Sequence, residues 1–285
     1  MAIASNAPRS YCGRFAPSPS GPLHLGSLAT ALGSYFDAKA HAGLWLLRIE
    51  DIDPPREQAG ASELILTALA AHGLKSSLPT FWQHQHTERY QGICNSFLAL
   101  KLAFYCDCSR QQQDHRGRCI NDCQSRALDP NGRNLRVQLP TTDLDFTDRI
   151  HGPITAPIES FDNAIIWRKN GLPSYLLAVV ADDIAAGITH VVRGEDLLHD
   201  THRQLALYRL LNATPPKYAH LPLVTHADGH KLSKQTGAAP IDSTCANMNI
   251  RQALSWLRPD WDLPGHDASV DELLAFGLEH WSVPE

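Results

Sequence analysis

Residues 11–49 change hydrophobic period twice, and this constrains the fold more than any other feature of the chain. Tyr11–Phe15 reads as a short strand that runs into a Pro/Ser/Gly loop at Pro17–Pro22. From Leu25 to about Ala42 the residues Leu25, Leu28, Ala29, Leu32, Tyr35, Phe36 and Lys39 recur at spacings of three and four, the period of a helix. Gly43 then stands where a C-cap is expected. Leu44–Ile49 is an apolar run broken only by Arg48, as in a parallel strand buried on both faces. Strand, helix, strand in so short a span is a βαβ unit, and its opening loop is rich in glycine and proline. The expected fold is a nucleotide-binding α/β domain.

The rest of the chain is compatible with that core. Its 285 residues are 43% hydrophobic and 19% charged, which excludes a disordered polypeptide and allows one large domain or two small ones. The net charge of −5 gives no electrostatic pointer to nucleic acid, though a local basic face fits within it. No run approaches the roughly 18 apolar residues of a membrane span, and the N-terminal MAIASNAPRSYCGRF lacks the apolar stretch of a secretory signal. The seven cysteines are Cys12, Cys94, Cys106, Cys108, Cys119, Cys123 and Cys245. An odd number with four crowded together does not suit a disulfide framework. The expectation is a reducing cytoplasm, no membrane association, and a cluster reserved for metal.

Helical patterns follow at Glu57–His72 and Thr87–Ala99, and Ala103–Tyr105 leads into the cysteine-rich insert. Residues 129–163 are polar and proline-rich and carry no clear period. Leu176–Ala181 and Ile188–Val192 are strongly apolar runs. A helix is expected at about Thr201–Leu211, a short strand at His220–Val224, and two closing helices at Ala246–Leu257 and Val270–Leu278. There are no internal repeats.

Two motifs carry chemistry. Gly21-Pro22-Leu23-His24-Leu25-Gly26-Ser27 sits where the first strand ends and the first helix opens. A helix N-terminus offers unpaired N–H groups and a partial positive charge, which suits phosphate. Gly26 leaves room for a nucleotide to approach the backbone, and His24 is placed to donate to a phosphate oxygen. The plain alternative is a helix-capping loop with an incidental histidine. Far downstream, Lys231-Leu232-Ser233-Lys234-Gln235 forms a cationic loop flanked by His226, Gly229 and Gly237. Such a loop can stabilise charge building on a triphosphate, or it can be a solvated surface loop.

Together the two motifs resemble the HIGH and KMSKS signatures of class I aminoacyl-tRNA synthetases. Gly13-Arg14-Phe15-Ala16-Pro17-Ser18-Pro19-Ser20-Gly21, Arg48-Ile49-Glu50-Asp51-Ile52-Asp53-Pro54 and Val192-Arg193-Gly194-Glu195-Asp196-Leu197 narrow the likeness to glutamyl-tRNA synthetases, from about Arg14 to Gln235. Fewer than about fifty residues follow Gly237, too few for a separate anticodon-binding domain of ordinary size. That shortness, the cysteine insert and the Lys-Leu-Ser-Lys-Gln ending resemble a truncated branch of the family. Its members attach glutamate to the queuosine base at the wobble position of tRNA(Asp).

The resemblance implies an α/β, Rossmann-type catalytic domain over 1–240, with a zinc-binding insert at about 104–140. A helical segment over 241–285 and no anticodon-binding domain complete the organisation it implies. It implies an ATP-dependent ligase that activates glutamate without tRNA, acting as a monomer. His24 and Lys234 would be catalytic. His24, Gly26, Lys231, Ser233 and Lys234 would hold ATP, with Mg²⁺ expected to accompany it. Glutamate would be bound by Arg14, Phe15, Ala16, Pro17, Ser18, Glu50, Tyr175 and Arg193. Charge supports part of this set, because guanidinium forks bind carboxylates bidentately and Glu50 can meet the ammonium. Otherwise Glu50 and Arg193 would be buried structural charges and Tyr175 plain core. Asp51 and Asp53 are expected to position their loop. Other readings of the same motifs are a short synthetase charging a tRNA 3′ end, a non-catalytic RNA-binding paralogue, and a small-molecule nucleotidyltransferase.

Cys106-x-Cys108-x10-Cys119-x3-Cys123 places four thiols in one polar segment, which suits a closed tetrahedral zinc site of structural kind. In the resembling family the third ligand is often a tyrosine. Here Cys119 stands in that place, with His115 as the spare candidate. The alternative is four unliganded cytosolic thiols. Cys12, Cys94 and Cys245 read as small core residues. Trp45 and Trp167 read as core. Trp256, Trp261 and Trp281 would pack the C-terminal segment onto the domain or stack on RNA bases.

Overall fold

The computed structural model describes residues 11–114, 117–142, 144–156, 163–223 and 239–283. The chain opens with β1 (Cys12–Phe15), α1 (Leu25–Ala40) and β2 (Leu44–Ile49), and β1 pairs with β2 in parallel. Next come α2 (Ala61–Ala71) and β3 (Phe81–Trp82), which extends this sheet in the order β1-β2-β3. The βαβ unit read from the sequence is therefore present. The second helix begins at Ala61 rather than Glu57, because Pro54–Arg56 takes a 3₁₀ turn first. It ends at Ala71, since the chain then turns at Gly73 with φ of 72°.

After α3 (Thr87–Ala99), β4 (Ala103–Cys106) pairs antiparallel with β5 (Asn134–Gln138). The strands β6 (Phe146–Asp148) and β7 (Gly152–Ile154) follow, and then β8 (Asn163–Trp167), which pairs with β5 on its other side. The polar stretch without a clear period thus holds short strands. Of these, β5 and β8 join β4 in the antiparallel sheet β4-β5-β8, which carries the cysteine segment between β4 and β5.

The apolar run at Leu176–Ala181 is the first half of α4 (Tyr175–Ala186), capped by the Ser174 hydroxyl and ended by Gly187 at φ of 66°. The chain continues through β9 (His190–Gly194), α5 (Thr201–Leu210) and β10 (Lys217–Leu221). A second sheet runs in the order β7-β6-β10-β9, with β10 parallel to both β6 and β9. This mixed sheet, in which β6 and β7 are antiparallel, abuts the first where Thr189 N donates to Cys12 O (2.9 Å) and Cys12 N to Thr189 Oγ1 (2.8 Å). β1 and β9 are thus neighbours from which the strand order departs in opposite directions, the place where open α/β sheets form their ligand crevice.

The closing helices are α6 (Ala246–Leu257) and α7 (Val270–His280). They share one core with α1, β1 and β2, in which Leu28, Phe36, Trp45, Ile250 and Leu273 are fully buried. Gly277 has no side chain because Phe36 fills the space: an added Cβ would lie 2.4 Å from the ring. Asp37 anchors the end of the chain. It accepts from Arg149 (2.6 and 3.2 Å), from the Trp281 indole (3.2 Å) and from the Tyr11 hydroxyl. Trp281 is thus core, Trp261 packs on Phe276, and Trp256 faces the crevice. A second core joins α3, α4, α5, β5 and β8. Among the described residues no helix is long and apolar enough to cross a membrane.

Candidate active site

The crevice at the carboxyl ends of β1 and β9 is a cleft of about 510 Å³. Its wall contains the whole stretch from Arg14 to Ser18, together with His24, Gly26, Tyr175 and Arg193. Residues from four separate parts of the sequence therefore meet on one surface. Glu50 stands just behind it, in an adjoining recess that shares Ser18 and Tyr175 with the cleft.

Beneath one end of the cleft lies a continuous array of buried charge. Arg14 grips Asp183 through Nε (3.3 Å) and Nη2 (3.4 Å). Arg48 donates to the same carboxylate (2.5 Å) and to Glu50 Oε1 (3.4 Å), whose other oxygen accepts from the Ser18 hydroxyl (3.5 Å). None of these four charged side chains is more than 6% exposed. Burial works against the Asp183 carboxylate, but Arg14 and Arg48 outweigh it and hold its pKa below the usual value. For Glu50 burial wins over Arg48 and Arg14, and the pKa rises. Burial and the nearby Glu50 push the Tyr175 hydroxyl to about 12, so it stays a donor at neutral pH.

Arg193 is held separately. Its Nε donates to His220 Nε2 (3.0 Å) and its Nη2 to Thr201 Oγ1 (2.8 Å). His220 Nδ1 lies 2.6 Å from Asp148 Oδ2, and Asp148 also accepts from the N–H groups of Ile150 and His151 at 3.0 Å each. These contacts bring Asp148 to about 2 despite burial, while burial lowers the pKa of His220. The Nδ1–H donates to the carboxylate, leaving Nε2 as a bare acceptor for the arginine. Arg193 Nη1 is buried with no partner. Arg14 and Arg48 thus share Glu50 and Asp183, while Arg193 is held apart from them by His220 and Thr201.

At the other end His24 is the N-cap of α1. Its Nδ1 accepts from Ser27 N (3.3 Å), and Ser27 Oγ accepts from His24 N (2.8 Å). The histidine caps the helix, and its ring also lines the cleft. An Nδ1 that accepts leaves the ring proton on Nε2. Lys231, Ser233, Lys234 and the rest of that loop lie outside the described residues. On the two sides of it, Leu223 lines the cleft and Ile241 N donates to Leu23 O (3.0 Å).

The four insert cysteines converge. Their sulfurs all lie within 4.8 Å of one another, with Cys108 Sγ 3.6 Å from both Cys119 and Cys123. A tetrahedral ion with metal–sulfur bonds of about 2.3 Å would separate its ligands by about 3.8 Å. The set fits a metal ion in spacing and in donor type. Cys119 points into the cluster, and His115 lies outside the described residues.

Asp51 and Asp53 are loop anchors. Asp51 accepts from His84 N (3.0 Å), and Asp53 accepts from Arg168 (3.0 Å) and from Arg56. Sequence reasoning missed Asp183, His220, Asp148 and Gln83. The signal for Asp183 is its place in α4, where Asp182 and Asp183 interrupt an otherwise apolar helix. Charges there are expected only when paired.

Residues 12–258 match the family of class I tRNA synthetases (E and Q), catalytic domain. A glutamyl-Q tRNA(Asp) synthetase of Vibrio vulnificus is 46% identical over 276 residues, covering 96% of this chain and 90% of that protein. One from Vibrio cholerae is 43% identical over 291 residues, covering 100% and 95%. Among solved structures, a glutamate tRNA ligase from Elizabethkingia meningosepticum in complex with its amino acid is similar at 25% identity and a TM-score of 0.74. The likeness covers 93% of this chain and 64% of that one, so the chain spans just under two thirds of the ligase's length.

Proposed function

The chain belongs to the glutamyl-Q tRNA(Asp) synthetase family of class I tRNA synthetases, and on that premise we propose that it activates glutamate with ATP and transfers it to queuosine in tRNA(Asp). The observation that carries the glutamate assignment is Arg193, a buried guanidinium in the cleft wall with Nη1 unpartnered. A desolvated cation with a free donor calls for an anion, and the substrate's side-chain carboxylate supplies one. Arg14 serves the same dicarboxylate substrate, the Tyr175 hydroxyl donates to it, and Glu50 faces its ammonium. Phe15, Ala16, Pro17 and Ser18 form the wall.

In the first step a glutamate carboxylate oxygen attacks the α-phosphorus of ATP, and the bond to the β-phosphate breaks with loss of pyrophosphate. Positioning and charge do this work. The α1 N-terminus, Gly26 and His24, with its proton on Nε2, hold the triphosphate, which brings Mg²⁺. Lys234, with Lys231 and Ser233, stabilises the departing pyrophosphate. The close approach of Leu223 and Ile241 to the cleft supports this role. In the second step a ring hydroxyl of queuosine attacks the glutamyl carbonyl carbon. The bond from that carbon to the phosphate oxygen breaks, AMP leaves, and the hydroxyl proton passes to solvent or to the phosphate.

Cys106, Cys108, Cys119 and Cys123 would hold zinc, which orders a loop too polar to fold on its own core. The chain's reading as a monomeric cytoplasmic enzyme is part of the same proposal. Glutamate-dependent exchange of labelled pyrophosphate into ATP, without tRNA, tests the first step. Exchange with glutamate supports the reading, and its absence rejects it.

A further inference from the structure

The recess behind the cleft has a chemistry of its own. It encloses about 330 Å³ and shares Ser18, Ser20 and Tyr175 with the main cleft, so the two adjoin. Among its lining side chains Glu50, Asp53 and Glu57 bring three carboxylates against the two guanidiniums of Arg56 and Arg168. Asp53 is already committed to both arginines.

A second observation comes from Gln83, which lines the recess and is fully buried. Its Nε2 donates to Asp182 Oδ2 (2.8 Å), a carboxylate that also accepts from Tyr90 (2.7 Å) and Arg89 (2.9 Å). Asp182 is surrounded by donors, which fixes the orientation of the amide. Gln83 Oε1 is then left buried with no donor. Leaving a buried acceptor unmet is costly, so a group that brings donors into the recess is favoured.

Resting on the function proposed above, we infer that this recess seats the hydroxylated, amine-bearing ring of the acceptor nucleotide during the second step. That ring offers two hydroxyl donors and an amine that is protonated at neutral pH. Gln83 Oε1 accepts from it, and the carboxylates, Glu57 foremost, face its charge. Glu50 stands in the wall between the two chambers, behind the bound amino acid. An acceptor seated here has its hydroxyl beside the glutamyl group rather than beside the triphosphate. Guanosine, without the substituent, leaves the recess empty and Gln83 unmet.

The test reads the two half-reactions separately. Gln83→Met, similar in size but without the acceptor, is expected to slow transfer from preformed glutamyl-adenylate to queuosine-bearing tRNA(Asp) by about tenfold or more. Its loss in glutamate-dependent pyrophosphate exchange is expected to be much smaller. Because Gln83 is buried, Glu57→Gln supplies a second, half-exposed site. The ratio of dissociation constants for guanosine-bearing and queuosine-bearing anticodon stem-loops should fall toward one in that variant. Equal losses in both half-reactions for Gln83→Met, or an unchanged ratio in Glu57→Gln, overturn the inference while leaving the function intact. Exchange without any transfer by the unaltered protein overturns the acceptor assignment and the inference with it.

Discussion

Two regions of this molecule solve the problem of ordering polar groups in opposite ways. Beneath the cleft, Arg14, Arg48, Asp183 and Glu50 are held by one another inside packed helices and strands. In the insert, Cys106, Cys108, Cys119 and Cys123 sit in a loop whose ion pairs, such as Arg126–Asp107 at 3.0 Å, are exposed. The first region draws its order from burial and pairing within the chain. The second has little apolar surface to bury, and its four converging thiols could hold a metal ion. Each region therefore has a different point of failure.

The largest effect is expected from removing the shared counter-ion of the buried array. Asp183→Ala leaves Arg14 and Arg48 desolvated without their principal partner, at a cost of about 3–5 kcal/mol. Thermal unfolding followed by circular dichroism should show a large fall in Tm, and a fall no larger than an exposed pair gives would mean that the array is not structural. Next comes Arg193→Ala, which keeps the array but removes the unpaired donor. The unaltered protein should prefer glutamate to glutamine by roughly 10²–10³ in pyrophosphate exchange, and the variant should lose that preference. Equal activation of both amino acids by the unaltered protein would sink the assignment.

The sequence made one of these regions far more legible than the other. The cysteine cluster is local in the chain, so spacing alone predicts that its thiols meet. The β1–α1–β2 unit is equally local, and its motif places His24 at the mouth of the cleft. Glu50 and Arg193 are conspicuous as charges abutting apolar strands. Asp183 breaks an apolar helix in the same way, but its pairing is invisible because its partners Arg14 and Arg48 lie 169 and 135 positions away. The same holds for His220, 27 positions from the Arg193 it orients, and for Asp148, 72 positions from the His220 it holds. The strands β6 and β7 are too short to show a period, and Leu176–Ala181 shows a continuous apolar surface because α4 is buried in the second core.

A double substitution Cys106→Ser/Cys108→Ser sharpens the contrast from the other side. Zinc content should fall from about one ion per chain to none, and the insert should become open to protease. The main unfolding transition and pyrophosphate exchange should persist. Loss of the whole fold would show that the two regions are not independent.

The smallest effect concerns the back of the sheet. His190 stacks on Tyr11 with ring centroids 4.0 Å apart, and burial with nearby Arg149 lowers its pKa to about 4. The unfolded chain binds this proton near pH 6.5, before the folded one does. Stability from this group is therefore complete above about pH 6.5 and is lost as pH falls toward 4. His190→Phe should flatten the dependence of Tm on pH over that interval, and an unchanged slope would assign the acid sensitivity elsewhere.

The central claim is that a cleft built for glutamate serves an acceptor in the anticodon loop. Its most direct measurement is transfer of labelled glutamate, with ATP, to tRNA(Asp) prepared with and without queuosine. The account predicts stable label only on the queuosine-bearing tRNA, surviving removal of the 3′-terminal adenosine. Label that requires the 3′ end, or that appears equally on tRNA lacking queuosine, would contradict it.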